Sequence, residues 1–186
     1  MTNEYFLFDC ETGGLTTDLS LLTLSGYILD EKFRIIDNID LFVKPDDGVY
    51  KLNAKAMEIN KINLVAHDAM AEPESVCRLK LEAFLQKHGV GKLTPAGHNV
   101  AMDIQFAKKL LPSFGKYVTH RTYDTASLGK FACNVGIIEH SDFSLQSLCE
   151  AFGIDTKGQH NAKVDIELTR QVLVELHWRA RRDRKE

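Results

Sequence analysis

Residues 6–14 read Phe6-Leu7-Phe8-Asp9-Cys10-Glu11-Thr12-Gly13-Gly14: three large apolar side chains, two carboxylates two positions apart, and a glycine pair. Side chains on a strand alternate between faces, so Asp9 and Glu11 share one face and Cys10 takes the other. Two like charges continuing a buried strand are costly unless a cation or hydrogen-bond donors compensate them. The stretch alone also allows a strand ending at Phe8, with both acids solvated ahead of a Gly13-Gly14 turn.

The surrounding pattern favours a sheet. Tyr5 to Asp9, Ser20 to Asp30 and Phe33 to Lys44 read as consecutive strands, the last two joined by a short turn at Asp30-Glu31-Lys32, which suggests an antiparallel meander. Helices are expected at Asn53 to Asn60, Pro73 to His88 and Val100 to Leu111, with strands at Leu93 to His98 and His120 to Tyr123. Further helices fit Asp124 to Asn134, Ser144 to Phe152 and a last one from about Asn161, whose apolar stripe holds Val164, Leu168, Val172, Leu173 and Leu176. The order implies an α/β fold with helices packed on a mixed sheet. Residues 1–186 are expected to form one domain.

Composition narrows the function classes. The 186 residues carry a formal net charge of −3, which argues against coating nucleic acid by bulk electrostatics and leaves room for a local site. Cys10, Cys77, Cys133 and Cys149 are scattered, so neither a disulfide framework nor a thiolate zinc site is indicated. No apolar run nears the ~20 residues of a membrane span, and Met1-Thr2-Asn3-Glu4 lacks a basic signal-peptide start. A cytoplasmic location with no membrane contact is expected.

Two more acids sit in core-facing rows. Asp103 aligns with Phe106, Ala107 and Leu110 at helical spacing, and Asp165 with Leu168, Thr169 and Val172. Near a helix start an Asp can simply complement the dipole, most plausibly so for Asp165. Four inward carboxylates from three elements are more simply balanced by divalent metal, and hard oxygen ligands suit magnesium or manganese. Magnesium usually binds through a few carboxylates plus substrate phosphate, so phosphoryl transfer on a polynucleotide leads. His160, five residues before Asp165, belongs to a side-chain type that exchanges protons near neutral pH; it is either a general base or a surface histidine.

Three separated motifs carry a family resemblance: Phe8-Asp9-Cys10-Glu11-Thr12-Gly13-Gly14-Leu15, Gly97-His98-Asn99-Val100-Ala101-Met102-Asp103, and His160-Asn161-Ala162-Lys163-Val164-Asp165. In order and type they resemble the DEDDh 3′-to-5′ exonucleases, the family related to the proofreading subunit of bacterial DNA polymerase. Leu52 to Asn60 is similar to the family's segment after the third strand. Gly13 stands where the family usually has a second Thr.

The resemblance implies an RNase H-like fold with a five-stranded mixed sheet, three strands antiparallel and two parallel. It implies two magnesium ions, replaceable by manganese: Asp9 bridging them, Glu11 and Asp165 completing one site, Asp103 supporting the second through water, and His160 as general base. Thr12, Gly13 and Leu15 would neighbour the terminal nucleotide, with His98 and Asn99 on the substrate side; Leu15 suits a core position equally well. The expected activity is release of nucleoside 5′-monophosphates from the 3′ end of single-stranded or frayed nucleic acid, DNA favoured over RNA. Association with a polymerase or another replication protein fits the same family. An exoribonuclease, a small-molecule phosphodiesterase and a noncatalytic docking module remain rivals. The run Trp178 to Glu186 either attracts a phosphate backbone or is a helix end whose cations complement the dipole.

Overall fold

The structure, a computed structural model, describes residues 4–89, 92–139 and 142–182. Among them the first strand, β1 (Tyr5–Thr12), runs through the acidic pair and does not stop at Phe8. It pairs antiparallel with β2 (Leu21–Leu29), which pairs antiparallel with β3 (Ile35–Lys44). On its other edge β1 pairs parallel with β5 (Thr94–Gly97), which pairs parallel with β6 (Tyr123–Asp124). This is the expected meander followed by two parallel strands.

The sheet nevertheless has six strands, not five: a two-residue β4 (Glu72–Pro73) lies parallel to the end of β3, giving the order β4-β3-β2-β1-β5-β6. Two residues flanked by helices carry no alternation, so nothing in their pattern marks a strand. The third strand also starts later than expected. Phe33 is buried with φ +58, and the fully buried Asp30 carboxylate accepts from the N–H groups of Lys32 and Arg34 and pairs with the Arg34 guanidinium.

The helices are α1 (Ala54–Asn60), α2 (Leu64–Met70), α3 (Glu74–His88), α4 (Ala101–Leu110), α5 (Thr125–Asn134), α6 (Leu145–Phe152) and α7 (Ala162–Arg182). α2 was not expected from the sequence. Its cap is Asn63, whose side chain accepts from the Val65 and Ala66 N–H groups, only three residues after α1 ends.

Both faces of β1 are covered. Phe6 and Phe8 stack at 4.7 Å and join Leu81, Leu85, Phe106 and Phe114 in the cluster beneath α3 and α4. Leu7 takes the opposite face with Leu29, Ala96, Ile166 and Leu173, against α7. By strand parity Asp9 and Glu11 continue the Leu7 row, so both acids point toward the start of α7. A third cluster, around Leu148, Val172 and Leu176, binds α5, α6 and α7 together. The end of α7 carries Arg179 over the Phe152 ring at 4.7 Å; residues 183–186 of the basic C-terminal run lie outside the described residues.

Candidate active site

At the end of the Leu7 row, carboxylate oxygens of Asp9, Glu11 and Asp165 all lie within 4.8 Å of one another. Asp9 and Glu11 arrive from β1 and Asp165 from the first turn of α7. The α7 entrance is held by the Lys163 ammonium, 2.7 Å from Asp40 on β3, and by the Asn161 side chain accepting from the Lys163 N–H. His160 has φ +70, and its N–H donates to Asp165 Oδ2 at 3.1 Å. Asp165 Oδ1 is buried with no hydrogen-bond partner among the described residues.

Asp103 enters from the other side of β1. It is 3% exposed, and its Oδ1 accepts the Cys10 N–H at 2.9 Å. The first turn of α4 is fixed by Asp124, whose Oδ2 accepts the Val100 N–H while Oδ1 accepts the Ala126 N–H to cap α5. One side chain thereby joins two helix starts. Asp103 stands outside the three-oxygen group but close enough to act on it electrostatically.

The acids hold their protons tightly. Desolvation, then repulsion from Asp103, Glu11 and Asp165, keeps the Asp9 carboxyl well above the usual carboxylate range. Glu11 is pushed up to about 7 by burial, then by Asp165 and Asp103. Burial raises Asp103 to about 7 and Asp165 to about 6, opposed by the N–H donors of Cys10 and His160 respectively. Converging hard oxygens, mutual repulsion and a buried oxygen without a donor are what a divalent cation would relieve. The residues present fit such an ion.

Two hollows flank Glu11. One, of about 300 Å³, is lined by Thr12, Leu15, Ile59 and Met102 among others; the second, of about 370 Å³, lies between β2, β3, α2 and the His160 loop, with Phe42, His67 and Lys163 in its wall. Leu15 is 82% exposed and stands free of the core. Thr12 is buried, its hydroxyl donating to the Gly14 carbonyl. Gly13 is buried with both main-chain groups engaged, its N–H donating to Ser20 O and its carbonyl accepting from Asn53 N. Lys51 O lies 2.4 Å from where a Gly13 Cβ would stand, so only glycine fits. Gly13 thus shapes the loop that follows the acidic pair.

His98 is half-buried, its Nδ1 2.9 Å from Thr125 Oγ1, which donates to the Gly97 carbonyl; desolvation lowers its pKa. Asn99 is exposed at φ +56, turning the chain from β5 into α4. Asn60, missed by sequence reasoning, is buried between the flanking hollows; its Nδ2 donates to Thr12 O and its Oδ1 accepts the Ile62 N–H. Its only sequence signal was a polar residue closing a short helix.

A mixed sheet between helix layers, with carboxylates converging at the end of its central strand, defines a DEDD-type exonuclease fold of the RNase H-like superfamily. The chain belongs to the RNase T exonuclease family, whose model matches residues 6–173. A DNA polymerase III of PolC type from Clostridium perfringens is 25% identical over 172 residues, 92% of this chain and 11% of its own length. E. coli exonuclease I in complex with a dT13 oligonucleotide superposes with a TM-score of 0.82 at 19% identity, over 98% of this chain and 42% of that one. A zinc-bound exonuclease I–single-stranded DNA complex from E. coli superposes at 0.81 and 20% identity, over 98% of this chain and 42% of that one. These structural likenesses concern the fold, and the chain spans about a tenth of the PolC-type relative.

Proposed function

We propose that residues 1–186 act as one exonuclease domain that hydrolyses phosphodiester bonds at the 3′ end of single-stranded or frayed DNA, releasing nucleoside 5′-monophosphates. The observation that carries this is the meeting of Asp9, Glu11 and Asp165 oxygens within 4.8 Å. Asp9, Glu11 and Asp165 would hold magnesium, or manganese in its place, with Asp103 supporting a second ion. Such ions acidify a water and neutralise charge on attacking and leaving oxygens.

The chain's own groups do the rest. His160 accepts the proton of the attacking water from a loop whose backbone is tied to Asp165. Asp103 is held inward by the Cys10 N–H, so its charge stays beside the group. Leu15, with Ile59 and Met102, offers the terminal base an apolar wall in the hollow that Thr12 also lines. His98 and Asn99 shape the substrate side at the start of α4. The PolC-type relatives support association with a polymerase or other replication protein. The four cysteines, none of them in a disulfide, support a cytoplasmic setting, and no helix among the described residues is long and apolar enough to cross a membrane.

The test is a time course with 5′-labelled single-stranded DNA and matched RNA in magnesium, manganese and chelator, beside Asp165→Ala. A ladder shortening from the 3′ end, absent in chelator and in the variant and faster on DNA, is the expected result. No ladder on either strand overturns the enzyme reading, and a faster RNA ladder overturns the choice of DNA.

A further inference from the structure

Away from the carboxylates, a groove of about 410 Å³ runs between β5, α4 and residues 115–121. Pro95, Ile104 and Val118 form its apolar floor, and Lys92, Lys108, His120 and Arg121 stand around it. No carboxylate lines it, in a chain whose formal net charge is −3. Among the described residues the cations Lys108 and Arg121 form no ion pair, unlike those of Lys163–Asp40, Lys87–Asp37 and Arg170–Glu167. Gathering unpaired cations over an apolar floor raises their mutual repulsion, which an anion with a flat apolar body relieves.

The groove is within reach of the acidic site yet distinct from it. Lys108 follows Asp103 by five residues, so it lies about 7.5 Å further along α4 and roughly 140° around it. In the sheet Pro95 of the groove floor pairs with Phe6, three residues before Asp9 and about 10 Å back along β1, a span that about three stacked nucleotides at ~3.4 Å each would cover.

We propose that this groove binds the phosphodiester backbone of the single strand 5′ to the cleaved end, with Lys108 and Arg121 as its phosphate contacts. It rests on the 3′ end lying at the carboxylates. The groove then governs affinity for length and leaves the chemical step alone.

The test compares the parent with Lys108→Glu/Arg121→Glu, and with the milder Lys108→Gln/Arg121→Gln, on a thymidine dinucleotide and a 15-mer of oligo-dT. A KM for the 15-mer raised tenfold or more, with kcat and dinucleotide turnover within twofold of the parent, is expected. The slope of log KM against log salt becomes shallower by about 0.7 for each lost contact. Equal losses on both substrates, or an unchanged 15-mer KM, overturn the groove. Anisotropy of 5′-fluorescein dT15 on Asp165→Ala, with and without the charge reversals, separates the two readings. Binding that depends on Lys108 and Arg121 in a chain whose parent never hydrolyses sinks the exonuclease and keeps the groove; a parent ladder with binding indifferent to both cations does the reverse.

Discussion

The raised carboxylates make a pH prediction. Asp103 and Glu11 at about 7 and Asp165 at about 6 compare with roughly 4 in an unfolded chain. Between those limits the metal-free folded state holds more protons than the unfolded state, so stability falls as pH rises from about 4 to 7. In chelator the Tm should therefore be higher at pH 5.5 than at pH 8, and Asp9→Asn should raise the pH 8 value. One pKa unit is about 1.4 kcal/mol, and each kcal/mol moves Tm by roughly 2–4 °C at this size, so several degrees are expected. An Asp9→Asn protein that melts lower than its parent refutes the repulsion account. His160 needs a substitute that tolerates φ +70, as Asn does. His160→Asn should lower kcat by about 10²–10⁴ while calorimetry shows manganese still bound, because the N–H to Asp165 survives.

At the scale of elements, Asp124 is the joint most worth breaking. Its two oxygens hold the starts of α4 and α5, and α4 carries Asp103 in its first turn. Asp124→Ala should cost about 1–2 kcal/mol by denaturant unfolding and lower kcat, whereas Asp124→Asn should recover most of the stability. Asn60→Ala should leave Thr12 O and Ile62 N without partners, costing about 1–3 kcal/mol and raising KM. The strands and long helices were readable because their periodicity continues over many residues. α2 and β4 were not: α2 has an exposed Val65 and Met70 and a buried His67, which scrambles the apolar face, and β4 is two residues long.

For the whole molecule, an ion bound only by the folded state stabilises it by mass action, about 2.7 kcal/mol at a hundredfold excess over Kd. Titrating magnesium into the chelated protein at pH 8 should raise Tm progressively, and the gain should vanish in Asp165→Ala, read by differential scanning calorimetry. An equal gain in that variant would place the ion elsewhere. The rise should also be larger at pH 8 than at pH 5.5, where protons already relieve the acids.

What the amino-acid order determined was the set of elements and the chemistry. Alternation put Asp9 and Glu11 on one face, and helical spacing put Asp103 and Asp165 on core rows, because backbone geometry alone fixes which neighbours share a side. Only the tertiary structure decided that three of these acids meet while Asp103 instead accepts the Cys10 N–H. It also decided that Gly13 is spent on loop closure and that Lys108 and Arg121 share a groove. Those outcomes depend on how α4 and α7 dock on opposite faces of β1, and docking is set by packing among residues far apart in sequence, which local periodicity does not encode.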